Sequence, residues 1–136
     1  MFAKDAASRG LGMQLIEVGD GHATMSMAVT KDMINGLGVC HGGLIFTLAD
    51  SAMAFATNSP DRFSLAVNAE IDWVNPGRLG TTLTASATEQ FRQGRSTICD
   101  AVVTDSDDTI VAHFRGRTRA VKGGHGGTTP SKPTQQ

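Results

Sequence analysis

From Gly43 to about Thr57 the chain runs Gly-Leu-Ile-Phe-Thr-Leu-Ala-Asp-Ser-Ala-Met-Ala-Phe-Ala-Thr. The length suits a helix, and its apolar residues fall on every side rather than on one stripe. Such a helix cannot lie on a surface; other structure has to enclose it, and a sheet is the element that can wrap it. Asp50 interrupts the pattern, and a carboxylate inside a buried helix is costly unless something uses it. The helix is entered through Asn35-Gly36-Leu37-Gly38-Val39-Cys40-His41-Gly42-Gly43. A glycine pair at a helix start offers an anion backbone N–H groups that have no intrahelical partner. Together, the free donors and the carboxylate suggest a catalytic site.

The flanking sequence supplies the sheet. Phe2 to Arg9 reads as a short helix, and Met13 to Val18 and His22 to Thr30 as strands joined by Gly19-Asp20-Gly21. Beyond Asn58-Ser59-Pro60-Asp61 come strand-like segments at Ser64 to Val74, Leu79 to Glu89, Arg95 to Thr104 and Thr109 to Val121, separated by short polar breaks of the kind that join antiparallel neighbours. The order is ββαββββ, an α+β class. In the third strand Leu65, Val67, Ala69, Ile71 and Trp73 alternate with Ala66, Asn68, Glu70 and Asp72, which predicts that the first set covers the helix. Residues 1–121 are read as one domain. Residues 122–136, rich in Gly, Thr, Pro, Ser and Gln, have little apolar surface to bury and are expected to be a disordered tail.

Composition narrows the function classes. A chain of 136 residues with 40% hydrophobic content suits a single modest core, and a net charge of -1 gives no broad attraction to nucleic acid or to an anionic membrane. Cys40 and Cys99 form no CxxC pair, no signal-peptide pattern opens the chain, and the longest apolar run is too short to span a bilayer. The expectation is a cytoplasmic protein with reduced thiols and neither a nucleic-acid nor a membrane partner. His22, His41, His113 and His125 lack metal-ligand spacing, so no metal site is expected.

Met1-Phe2-Ala3, Asn35-Gly36, Cys40-His41-Gly42-Gly43, Leu48-Ala49-Asp50, Asn75-Pro76-Gly77 and Phe114-Arg115-Gly116-Arg117 resemble the acyl-CoA thioesterases of the phenylacetic acid degradation type, over about Met1 to Val121. The resemblance implies a hotdog fold, a long central helix wrapped by an antiparallel sheet of five or six strands. It also implies hydrolysis of acyl-CoA with aryl groups such as phenylacetyl, hydroxylated phenylacetyl or benzoyl. Coenzyme A enters as part of the substrate, with no separate cofactor.

Thioester hydrolysis needs a group that holds the oxyanion and one that attacks or activates water. Gly42 and Gly43 can supply the first from the positive end of the helix dipole. Asp50 can supply the second, as nucleophile through a mixed anhydride or as general base, and burial should raise its pKa. Gly43 and Asp50 lie two turns apart on one helix face but about 10 Å apart along the axis, at roughly 1.5 Å per residue. One carbonyl cannot touch both in one subunit. A twofold dimer with antiparallel helices brings Asp50 of one copy to Gly43 of the other; the resemblance implies such shared sites, in a dimer or in a homotetramer of two dimers.

His41 and Asn35 are expected to orient the loop and the acyl carbonyl. Asn68 is a candidate to position water or the acyl group near Asp50, and Met53 to shape the acyl pocket. Arg115, Arg117 and Arg119 share a strand face and suit either the phosphates of coenzyme A or solvent. Two other readings stand beside hydrolysis. One is a hotdog hydroxyacyl-thioester dehydratase, although the His-Phe-Pro-Gly start of many such enzymes is missing. The other is a non-catalytic acyl-CoA-binding protein.

Overall fold

In the computed structural model, which describes residues 1–121, the chain forms a short helix α1 (Ala6–Gly10), strands β1 (Gln14–Gly19) and β2 (His22–Ala28), and the long helix α2 (Gly42–Thr57). Strands β3 (Ser64–Trp73), β4 (Thr82–Gln93), β5 (Ser96–Thr104) and β6 (Ile110–Ala120) follow. The expected tail, residues 122–136, lies outside the described residues. The order is the expected one, with local differences at the ends. Phe2 to Arg9 divides into a 3-10 turn, Phe2–Lys4, and α1, because Asp5 ends one and caps the other, its Oδ1 accepting the Ser8 N–H at 3.0 Å. β4 starts later than Leu79, since Arg78 to Thr81 form a turn through Gly80 at φ 88°, and it runs past Glu89 to pair Gln93 with Ser96.

All pairings are antiparallel, in one six-stranded sheet of order β1-β2-β4-β5-β6-β3. Helix α2 contacts all six strands, which is the enclosure its apolar sequence requires. Between them lies a core rich in small side chains: Ala23, Ala85, Ala87, Ala101 and Ala112 on the strands, with Ala49, Ala52 and Ala56 on the helix. Alanines let helix and sheet approach closely, and Met25, Met27 and Met53 fill what remains.

Two expectations need correction. The sheet does not close over every side of α2: Gly43 is exposed and Thr47, Asp50 and Ala54 are only half-buried, so one stripe at four-three-four spacing stays open. In β3 the apolar alternation does not define one face. The ladder to β6 pairs Ala66 with Thr118 and then Asn68 with Arg117, leaving Val67 as a bulge. The extra residue flips the alternation. Ala69, Ile71 and Trp73, opposite Gly116, Phe114 and Ala112, keep the helix side, whereas Leu65, opposite exposed Arg119, faces outward.

Candidate active site

The loop before α2 is fixed mainly by backbone bonds. Asn35 N–H donates to Val39 O, Cys40 N–H to Gly77 O and His41 N–H to Met33 O, each at 2.8 Å. Gly77 permits this closeness, since a Cβ there would meet Cys40 Cβ at 3.2 Å and Leu83 Cδ1 at 3.3 Å. Asn35 Oδ1 accepts the N–H groups of Leu37 at 2.9 Å and Val39 at 3.2 Å. The Asn35 carbonyl side is therefore used up in shaping the loop, one of its two expected duties.

At the helix start the structure differs from expectation in one donor. His41 is the N-cap, and its Nδ1 accepts the Gly43 N–H at 3.2 Å, which leaves its ring proton on Nε2. His41 O accepts from Leu44 N–H at 2.9 Å and Ile45 N–H at 3.3 Å. Of the first-turn donors, only the Gly42 N–H has no partner among the described residues. On the other side of this peptide, Trp73 Nε1–H donates to Gly42 O at 3.1 Å. Trp73 was not among the expected site residues, because nothing in the sequence relates the end of β3 to a loop some thirty residues earlier.

Asp50 sits on the open stripe of α2, in line with Gly43 and Thr47, whose Oγ1–H donates to Gly43 O at 2.8 Å. Half-buried and without a charged or hydrogen-bonding partner among the described residues, its carboxyl is pushed above the usual aspartate range by desolvation. Seven residues at 1.5 Å each put it about 10.5 Å along the axis from Gly43. Within one protomer the donors and the carboxylate share a face and stay apart.

The remaining candidates are spread elsewhere. Met53 is fully buried against Gly116, inside the core rather than beside an opening. Asn68 pairs with Arg117 on the sheet face turned away from α2, so the protomer does not bring it to Asp50. Arg115 is on that outer face too, donating to Asp100 from Nε at 2.6 Å and from Nη2 at 2.9 Å, and it holds the Asp100 carboxyl below the usual range. An open groove of about 500 Å³ there is lined by Glu70, Asp72, Asp100, His113 and Arg115 and includes none of the helix-start residues. Both cysteines are free and buried; burial pushes Cys99 up to about 12 and raises Cys40 too, so neither has the character of a nucleophile. No helix among the described residues is long and apolar enough to cross a membrane.

One long helix wrapped by a six-stranded antiparallel sheet, entered through His-Gly-Gly and bearing a half-buried carboxylate two turns on, defines a hotdog-fold protein. The thioesterase superfamily model matches residues 37–112. The acyl-coenzyme A thioesterase PaaI of Escherichia coli is 37% identical over 123 residues, 90% of this chain and 88% of the relative. The E. coli PaaI structure superposes with a TM-score of 0.89, covering 92% of this chain and 90% of that one. A mutant of the phenylacetic acid degradation protein PaaI of Thermus thermophilus, 28% identical, gives 0.79 over 85% of this chain and 98% of its own. The chain belongs to the thioesterase superfamily, and within it to the PaaI type.

Proposed function

We propose that the protein hydrolyses acyl-CoA thioesters to a free acid and coenzyme A, with aryl acyl groups such as phenylacetyl, hydroxyphenylacetyl or benzoyl, at two sites shared across a twofold dimer. The observation that carries this reading is the half-buried Asp50, without a partner among the described residues, on the open stripe of α2 in line with the helix-start glycines. The aryl preference is supported by the likeness to PaaI. The dimer is supported by the Gly43–Asp50 separation and by β3, an edge strand on which Leu65, Val67 and Trp73 are all more than half exposed. The dimers pair further into a homotetramer, and the enzyme works in the cytoplasm.

In this reading the thioester carbonyl takes the N–H groups of Gly42 and Gly43. His41 Nδ1 first releases Gly43, giving up an exposed hydrogen bond of about 0.5–1.5 kcal/mol net, which the charge growing on the oxyanion outweighs. Asp50 of the second copy acts as the carboxylate, and its raised pKa makes it a better base. It either takes a proton from water as the water oxygen attacks, or attacks the carbonyl itself to give an anhydride that water then opens. On both routes a C–O bond forms, the C–S bond breaks, and the thiolate of coenzyme A leaves and is protonated.

The test is free-thiol release from aryl, short-chain and long-chain acyl-CoAs, with light scattering on the same sample. Fastest turnover of the aryl thioesters by a dimer or tetramer is expected. Thiol release from none of them, or full activity in a monomer, overturns the proposal.

A further inference from the structure

Gly42 and Gly43 share one peptide group, and it is held at both ends. The Trp73 indole N–H donates to its carbonyl at 3.1 Å, and its amide N–H donates to His41 Nδ1 at 3.2 Å. The indole is delivered by the sheet rather than by a loop: Trp73 is the last residue of β3, paired with Ala112, and the next residue, Val74, donates its N–H to Val111 O at 2.8 Å. The fit is close. A Cβ at position 42 would meet Trp73 Cε2 and Nε1 at 3.2 Å, so glycine is what allows the ring to seat.

We infer that Trp73 is a positioning residue for the oxyanion donor, acting through the Gly42–Gly43 peptide without touching the reacting atoms. A donor on an amide carbonyl draws electron density from the amide nitrogen and strengthens its N–H as a donor, the cooperative effect of linked hydrogen bonds. The same bond fixes the peptide plane, and so the direction in which the Gly43 N–H points once His41 lets go. The inference rests on the thioester-hydrolase reading, in which the Gly43 N–H meets a developing oxyanion.

The chain has one tryptophan and no tyrosine, so replacing tryptophan biosynthetically by benzothienylalanine changes position 73 alone, keeping the ring shape and removing the N–H. Trp73→Phe does the same with a smaller ring. An oxyanion donor is worth about 10²–10³ in rate, and a linked bond contributes about 10–30% of its strength, which predicts a loss of roughly two- to eightfold in kcat. KM should stay within about twofold, because the effect acts on the transition state. The Gly43 amide ¹H–¹⁵N resonance of the free protein should move upfield in both variants. Wild-type kcat in the benzothienylalanine protein, or a KM that rises as far as kcat falls, overturns the inference while leaving hydrolysis intact. If the wild type releases no thiol, the hydrolase reading falls by itself; the Gly43 resonance then decides, and an unmoved one removes the indole–peptide coupling as well.

Discussion

The proposed shared site predicts that two inactive variants restore each other. About 10.5 Å along the α2 axis separates Gly43 from Asp50, whereas a carbonyl in reaction lies about 3 Å from both its donor and its attacking group. Gly43→Pro deletes the donor; proline is tolerated in a first helical turn, and the exposed His41 ring can swing into solvent. Asp50→Asn removes the base at nearly constant volume. The first homodimer should lose about 10²–10³ in kcat and the second about 10²–10⁴. When equal amounts are unfolded and refolded together, half the dimers are mixed, and each mixed dimer carries one doubly damaged site and one intact site. About a quarter of wild-type activity should return, at least about 25-fold above either parent. The statistics hold whether or not dimers pair further. The assay is thiol release from phenylacetyl-CoA before and after remixing. Activity that stays at the parental level, with mixed dimers demonstrated by differential tagging, refutes the shared site.

Other consequences are separable. Burial raises the Asp50 pKa in the folded state above its ordinary 3.8, so the native protein binds this proton more tightly than the unfolded chain. The ionised carboxylate therefore weakens folding above the folded pKa, and the penalty fades as pH falls towards the unfolded value. Asp50→Asn should raise Tm at pH 8 by more than at pH 4; a lower Tm at pH 8 contradicts the desolvation account. Gly116→Ala would drive a Cβ into the end of the Met53 side chain and to 3.0 Å from Phe114 Cε1, both side chains buried in the core, so the methionine has to repack. It should cost about 1–3 kcal/mol in urea unfolding, and a neutral result would show that the helix–β6 contact is loose. Asn35→Ala removes the acceptor of the Leu37 and Val39 N–H groups, and should lower kcat with a stability loss of about 0.5–1.5 kcal/mol per bond; unchanged kinetics would separate loop order from catalysis.

The sequence carried the architecture because its signals were periodic and dense. A helix apolar on every side required enclosure, and short polar breaks required antiparallel neighbours. Asp50 stood out as the single charged residue in an apolar run, and a pair of glycines before it marked the donor end. What stayed hidden depended on single backbone choices or on contacts across the chain. The bulge at Val67 is one such choice: Leu65, Val67, Ala69, Ile71 and Trp73 alternate without a break, so nothing local announces that Leu65 faces the other way. The His41 cap on Gly43 depends on one side-chain rotamer. The Trp73–Gly42 bond joins residues 31 positions apart, and the Arg115–Asp100 pair joins neighbouring strands. Helical periodicity showed that Gly43 and Asp50 share a stripe; only the assembled sheet showed that this stripe is the one left open.

The open stripe is also where the destabilising features of α2 collect. The Gly42 N–H at its start has no partner, and Asp50 is desolvated without a counter-ion, among the described residues. On the opposite face Ile45, Leu48, Met53 and Phe55 are buried, and at about 1.5–3 kcal/mol each they contribute roughly 6–12 kcal/mol before chain entropy is counted. That burial holds the helix in shape despite a free donor at its start and a poorly solvated carboxylate. The free donor and the carboxylate both lie towards the open side of α2, half-buried rather than sealed beneath the sheet. In the proposed reaction, a thioester carbonyl accepting from the helix start takes up the free donor at one end of that line, and a carboxylate of raised pKa is the base at the other.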